Sequence, residues 1–171
     1  ANDRMDALVE KASELGVHAI QPLICERSVL RLDGERAVKK VAHWQAVAVS
    51  ACEQSGRAVV PEVRSVQTLQ NWLRDTAEGD AKGAARHKGV LSLREAVSLR
   101  SWLCNKVDAA ASPRGTGRVD AAIDDGGQGF MFLSGPEGGL SPAEEQAALD
   151  AGWTAVTLGA RVLRADTAPL A

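Results

Sequence analysis

Apolar residues recur along this chain in two rhythms, one helical and one strand-like, and the two alternate. Met5, Leu8, Val9, Ala12 and Leu15 fall at helical spacing, and Gly16 stands where that helix should end. Val17 to Ile24 reads as a strand, with Pro22 marking an irregular or edge position. Val38, Val41, Gln45, Ala48, Val49 and Cys52 then line one face of a long helix closed by Gly56. A short strand near Val59 to Val63 and a helix from Val66 to Arg74 follow, and Glu78 to Ala85 reads as a polar loop. Val90 to Leu93 has the pattern of a strand and Arg94 to Val107 that of a helix. Asp108 to Gly127, rich in Ala, Gly, Asp and Arg, has the composition of a mobile insertion. This alternation predicts an α/β fold with a mostly parallel sheet and helices on both faces.

The last quarter of the chain carries the sharpest punctuation. The apolar run Phe130 to Leu133 breaks into Gly135-Pro136-Glu137-Gly138-Gly139. A helix follows, with Ser141 as N-cap, Pro142 at its first position and Glu144 placed for a capping box. Ala147, Ala148 and Ala151 carry that helix, and Gly152 is placed to end it in a left-handed conformation. Trp153 to Leu158 reads as the next strand, and it too breaks into a glycine loop, Leu158 to Ala168, that opens a last helix. In open α/β sheets, loops at the carboxyl ends of strands are where ligands bind. Glycine lets main-chain groups approach a ligand with no Cβ between them. Either loop alone could be a tight turn. Two of them around one short helix point to a small-molecule site built largely from main chain.

Composition narrows the class. A chain of 171 residues supports one domain, or one with an appendage, and 45% hydrophobic with 25% charged residues is ordinary for a protein with a packed core. No apolar run approaches the roughly 20 residues of a membrane span, and Asp3, Arg4, Asp6, Glu10 and Lys11 interrupt any signal-peptide pattern. Cys25, Cys52 and Cys104 are odd in number and far apart, which suggests reduced thiols in a cytoplasmic protein, all three as small core residues. His18, His43 and His87 are isolated, so no metal site is expected. Trp44, Trp72, Trp102 and Trp153 read as core or interface residues. There is no Walker-type or Gly-x-Gly-x-x-Gly fingerprint, which counts against an NTPase or a dehydrogenase. The net charge of −2 gives no general basic surplus. Positive charge is local instead, at Arg27, Arg31, Arg36, Lys39, Lys40, Arg57, Arg161 and Arg164.

Several spaced segments resemble one family in order. They are Ser134-Gly135-Pro136-Glu137-Gly138-Gly139 with Ser141-Pro142-x-Glu144, and Leu158-Gly159-x-Arg161-Val162-Leu163-Arg164-x-Asp166-Thr167-Ala168. Asp3 to Val17, Glu26-Arg27-Ser28 and Glu53-Gln54-Ser55-Gly56-Arg57 agree as well. Together they resemble the RsmE family, small-subunit ribosomal RNA methyltransferases of the SPOUT superfamily that act on N3 of a uridine. The likeness covers nearly the whole chain and is weakest from about Asp75 to Gln128. Asp166 stands where the family commonly has Glu, and Val162 where Ile is usual.

The resemblance implies more than the residues alone do. It implies a C-terminal trefoil knot, a homodimer, S-adenosyl-L-methionine as cofactor, and 16S ribosomal RNA or the small subunit as partner. It implies that residues 1–171 form the methyltransferase domain of a longer protein, with a PUA-like barrel before it and the end of the last helix after it. The cofactor would lie among Leu91 and Ser92, Gly135, Glu137 and Gly138, and Leu158, Gly159, Val162, Leu163, Arg164, Thr167 and Ala168. Leu91 and Ser92 are the loosest of these matches. Glu137 would accept from a ribose hydroxyl or an amino group; the plainer alternative is a solvated carboxylate near a helix N-terminus. On the acceptor side N3 of uracil must lose a proton, so charge stabilisation or a base is needed. Arg164, Arg57 and Gln54 are the candidates for that chemistry, with Arg161, Arg4, Arg27 and Asp166 as further possibilities. A knotted methyltransferase acting on another RNA, or a cofactor- or RNA-binding module without catalysis, would share many of these features.

Overall fold

The computed structural model describes residues 2–29, 32–81, 86–92, 94–110, 129–159, 163 and 167–170. Helix α1 (Asn2–Glu14) leads through Gly16, whose φ is +99°, into two minimal strands, β1 (Ala19–Ile20) and β2 (Leu23–Ile24). The single strand expected from Val17 to Ile24 is thus split, and Gln21-Pro22 lies at the break. Proline has no N–H to give a ladder, and each half finds a different partner. β1 pairs in parallel with β3 (Glu62–Val63), and β2 with β4 (Gln67–Thr68). Between them runs α2 (Gly34–Ser55), ended by Gly56 at φ +72°.

The buried stripe of α2 is Trp44, Ala48, Ala51 and Cys52, with Val41 partly buried beside it. Val38 and Val49, expected on that face, are exposed at 70% and 37%. Trp44 takes the central place in the cluster with Val9 of α1, Ile20 and Val63. One large indole rotates the apolar stripe away from the positions that the smaller valines suggest.

The helix expected to begin at Val66 begins later. Gln67 and Thr68 form β4, and α3 spans Leu69–Ala81, so it absorbs the start of the expected polar loop. Lys82 to Ala85 lie outside the described residues. Similarly, Val97 and Ser98 form a short strand β6 before α4 (Leu99–Ala110), where a helix from Arg94 was expected. In both places the side-chain pattern is helical, but a parallel partner strand captures the backbone first. The expected insertion lies outside the described residues after Ala110.

The main sheet has the order β6-β8-β5-β7, with β5 at Arg86–Leu91, β7 at Gly129–Leu133 and β8 at Thr154–Thr157, and every pairing is parallel. Helices cover both faces. On one, Val90 and Leu133 pack with Leu69, Trp72 and Leu73 of α3, with Ala148 of α5 (Pro142–Asp150) and with Trp153. On the other, Trp102 of α4 meets Phe130 and Phe132 edge-on, at ring-centroid distances of 5.7 Å each. All four tryptophans are buried. Cys25 and Cys52 are buried as expected, but Cys104 is exposed. It sits two positions after Trp102, and two residues around a helix turn a side chain to the far side. Among the described residues, no helix is long and apolar enough to cross a membrane.

Candidate functional site

β5 lies between β7 and β8, so the two glycine loops seen in the sequence do not leave neighbouring strands. They flank the end of a third. Val90 is in register with Leu133, and Leu91 with Val156. Since all three strands run the same way, their carboxyl ends open on one edge. The Ser92 N–H donates to the Val156 carbonyl at 3.0 Å, which ties the exit of β5 to β8. The sheet order therefore brings Leu91 and Ser92 to the same edge as Gly135 to Gly138 and Leu158-Gly159.

The first glycine loop is built for close backbone contact. A Cβ on Gly135 would stand 2.8 Å from the Leu140 nitrogen, so no side chain fits there. Gly139 has a φ of +68° and donates to the Pro136 carbonyl at 2.8 Å. Ser141 and Glu144 make the expected capping box on α5. The buried Glu144 carboxylate does more: one oxygen accepts from the Ser141 N–H at 2.9 Å and the other from the Glu26 N–H at 2.7 Å. Glu137 and Gly138 are exposed. Glu137 forms an ion pair with Arg4 of α1.

The second loop turns at Thr157, whose hydroxyl accepts from the Gly159 N–H at 3.3 Å and donates to the Gly159 carbonyl at 3.0 Å. Gly159 has a φ of +134°, a conformation that suits glycine. Among the described residues, no atom stands within 4 Å of where a Cβ would be on Gly139 or Gly159. Leu163 and Ala168 are partly buried and Thr167 is exposed. Val162 and Arg164, with Arg161 and Asp166, lie outside the described residues. Where a last helix was expected, the described part is a short 3-10 turn, Ala168–Leu170, packed against α1.

Sequence reasoning missed Glu145. Its carboxylate accepts a hydrogen bond from the Ser92 hydroxyl, which in turn accepts from the Arg94 N–H at 3.0 Å. The signal was available: Val90 faces α5, and alternation along the strand sends Ser92 to the same side.

Gln54 and Arg57 belong to the α1–α2 layer rather than to the strand-end loops. Gln54 is exposed and faces a groove also lined by Glu10, Glu14 and His43. The Arg57 guanidinium donates to the Ser13 carbonyl at 2.5 Å and the Val17 carbonyl at 3.4 Å, satisfying groups around the end of α1. Arg27 is turned toward the glycine loop: its Nη1 donates to the Gly138 carbonyl at 2.9 Å and the Leu140 carbonyl at 3.4 Å. Among the described residues, no group of three or more His, Cys, Asp or Glu is placed to hold a metal ion.

Comparison with known proteins agrees with this layout. The family model of the RNA methyltransferase domain matches residues 1–171. Ribosomal RNA small subunit methyltransferase E of Bacillus subtilis is 31% identical over 168 residues, covering 98% of this chain and 58% of that protein. The Mycobacterium bovis protein of the same name is 36% identical over 167 residues, covering 98% of this chain and 55% of its own length. The chain thus spans little more than half the length of these relatives. The crystal structure of ribosomal RNA small subunit methyltransferase E from Neisseria gonorrhoeae, bound to S-adenosyl methionine, superposes with a TM-score of 0.72 at 42% identity, over 98% of this chain and 58% of that one. A Legionella pneumophila protein solved with bound cofactor SAM gives a TM-score of 0.74 at 29% identity, over 98% and 57% of the two chains.

Proposed function

Since the chain belongs to the RNA methyltransferase domain family, we propose that it serves S-adenosyl-L-methionine-dependent methylation of N3 of a uridine in small-subunit (16S) ribosomal RNA. The observation that supports this most is the convergence of three parallel strand ends, at Ser92, Ser134 and Leu158, on one edge of the sheet. The donor set suits a nucleoside with a cationic methionine tail. The absence of side chains at Gly139 and Gly159 lets an adenine edge and ribose come close to the loop backbone, while Leu158 and Leu163 supply apolar surface. Glu137 and Glu145 bring negative charge to the same edge.

In this reading the cofactor, when bound, supplies an already activated methyl carbon, and the chain's own residues position and shield. Leu91, Ser92, Gly135, Glu137, Gly138, Leu158, Gly159, Val162, Leu163, Arg164, Thr167 and Ala168 hold the cofactor. Arg164 stabilises the negative charge that develops on the uracil oxygens as N3 loses its proton. Arg57 and Gln54, set apart from the loops within one chain, act across a homodimer. The reading carries with it a domain spanning residues 1–171, a C-terminal trefoil knot and a cytoplasmic location.

Calorimetric titration with S-adenosylmethionine tests the site, with one molecule per subunit expected. Transfer of labelled methyl to small-subunit RNA, mapped to N3 of a uridine and lost in Arg164→Ala, tests the reaction. Transfer to a different RNA would redirect the substrate. Cofactor binding unaffected by Arg164→Ala, together with no transfer by the full-length protein carrying Arg164, would leave a binding module and end the enzyme reading.

A further inference from the structure

The Glu26-Arg27-Ser28 triplet is a conspicuous sequence feature to which the proposed reaction gives no task. In the structure each of its residues has a defined job. Ser28 closes the turn on Cys25: its N–H donates to the Cys25 carbonyl at 3.0 Å, and its hydroxyl accepts from the Cys25 N–H at 2.9 Å. Glu26 gives its main-chain N–H to buried Glu144 at 2.7 Å, docking the turn on the first turn of α5. Arg27 reaches from that anchored turn to the carbonyls of Gly138 and Leu140. Its aliphatic stem runs over Gly138, where an added Cβ would lie 3.4 Å from Arg27 Cβ and 3.5 Å from Cδ.

We propose that Arg27 is a positioning residue, which braces the glycine loop from outside and holds it in the shape that receives the cofactor. The proposal deepens the reading above and rests on it. Two peptide planes are tied at once, those carrying the Gly138 and Leu140 carbonyls. Charge-assisted bonds are the strong kind, and both leave one nitrogen, Nη1, whose N–H groups lie in the fixed plane of the guanidinium, so direction is restricted as well as distance. The anchor is firm because Glu144 is buried and satisfied on both oxygens. Glycine-rich backbone is otherwise free to spread over many conformations, and a loop that must be ordered on binding weakens binding. Arg27 engaged in this way is also withdrawn from the pool of cations available to RNA phosphates.

Three measurements on Arg27→Ala and Arg27→Lys test this. Arg27→Ala should weaken S-adenosylmethionine binding about tenfold, and Arg27→Lys should recover only part of the loss, because a freely rotating ammonium on a flexible stem does not fix the direction of its bonds as the guanidinium plane does. In ligand-free protein the Gly139 N–H, bonded to Pro136, should exchange faster in Arg27→Ala. The Arg57 N–H, bonded to Cys52, should be unchanged and so report an intact fold. Affinity for small-subunit RNA should stay within about twofold, as expected when a removed cation neutralised no phosphate. Unaltered cofactor affinity and Gly139 exchange, with loss confined to RNA binding, would overturn the proposal and make Arg27 a nucleic-acid contact. If the parent chain itself failed to bind S-adenosylmethionine while Gly139 exchange still responded to Arg27, the brace would stand and the cofactor reading would fall.

Discussion

Arg4 and Glu137 form an ion pair that joins the first turn of the N-terminal helix to the glycine loop more than a hundred residues later. Both side chains are about half exposed, so water screens the pair and it contributes little to stability. Arg4→Ala should therefore change unfolding free energy by less than about 1 kcal/mol. Glu137→Gln should leave the thermal midpoint nearly unmoved yet weaken cofactor binding about tenfold, as loss of a charged hydrogen-bond partner does. Calorimetry on both variants separates the roles; equal affinities would reduce Glu137 to a surface carboxylate.

The glycines of the same loop should respond differently to substitution. Gly135→Ala forces a Cβ to 2.8 Å from backbone nitrogen and should destabilise the fold by about 1–3 kcal/mol. The Cβ of Gly138→Val meets the Arg27 side chain at 3.4 Å or more, an ordinary contact, so the protein should fold while cofactor binding is lost. Thermal denaturation beside ligand titration would show the two losses separately.

Glu144 is the structural pivot beneath that loop. Its carboxylate satisfies two main-chain donors in a buried place. Glu144→Ala would orphan both, at a cost of about 2–4 kcal/mol, whereas Ser141→Ala, which removes one capping bond, should cost about 1 kcal/mol. Chemical denaturation of the two variants gives the comparison, and equal costs would refute the second role of Glu144.

Acid stability should depend on Asp6. Burial by itself would raise its carboxyl, but hydrogen bonds from His43 and Trp44, with the charges of His43 and Lys40, outweigh that and hold it below the ordinary 3.8. A group lowered on folding contributes stability above its unfolded value and loses it as pH falls through the folded one. The Asp6 contribution is thus complete at neutral pH and fades below about pH 4. Asp6→Asn should flatten the acid limb of the stability profile, and an unchanged slope would assign acid sensitivity elsewhere.

The thiols should differ sharply in reactivity. Burial, helped by the nearby Glu144 carboxylate, pushes Cys25 up to about 11. Cys52 is buried, and Cys104 is exposed. A maleimide at neutral pH should label Cys104 alone in folded protein and all three cysteines after denaturation. Rapid native labelling of Cys25 would mean that the turn it begins opens readily.

What the sequence determined by itself was local. Gly16, Gly56 and Gly152 end their helices, and Ser141 with Glu144 starts one, because those signals act between residues a few positions apart. The order of helices and strands, the α/β class and both glycine loops were legible for the same reason. Tertiary structure alone decided that β5 separates β7 from β8, that Gln67 and Val97 enter strands rather than helices, and that Trp44 displaces Val38 from the core. It also decided that Arg57 serves the end of α1 while Arg27 serves the glycine loop, and that Glu145 meets Ser92. No local pattern names a partner strand, or tells one arginine from another. Those choices depend on which distant surfaces a parallel, crossover-connected sheet brings together.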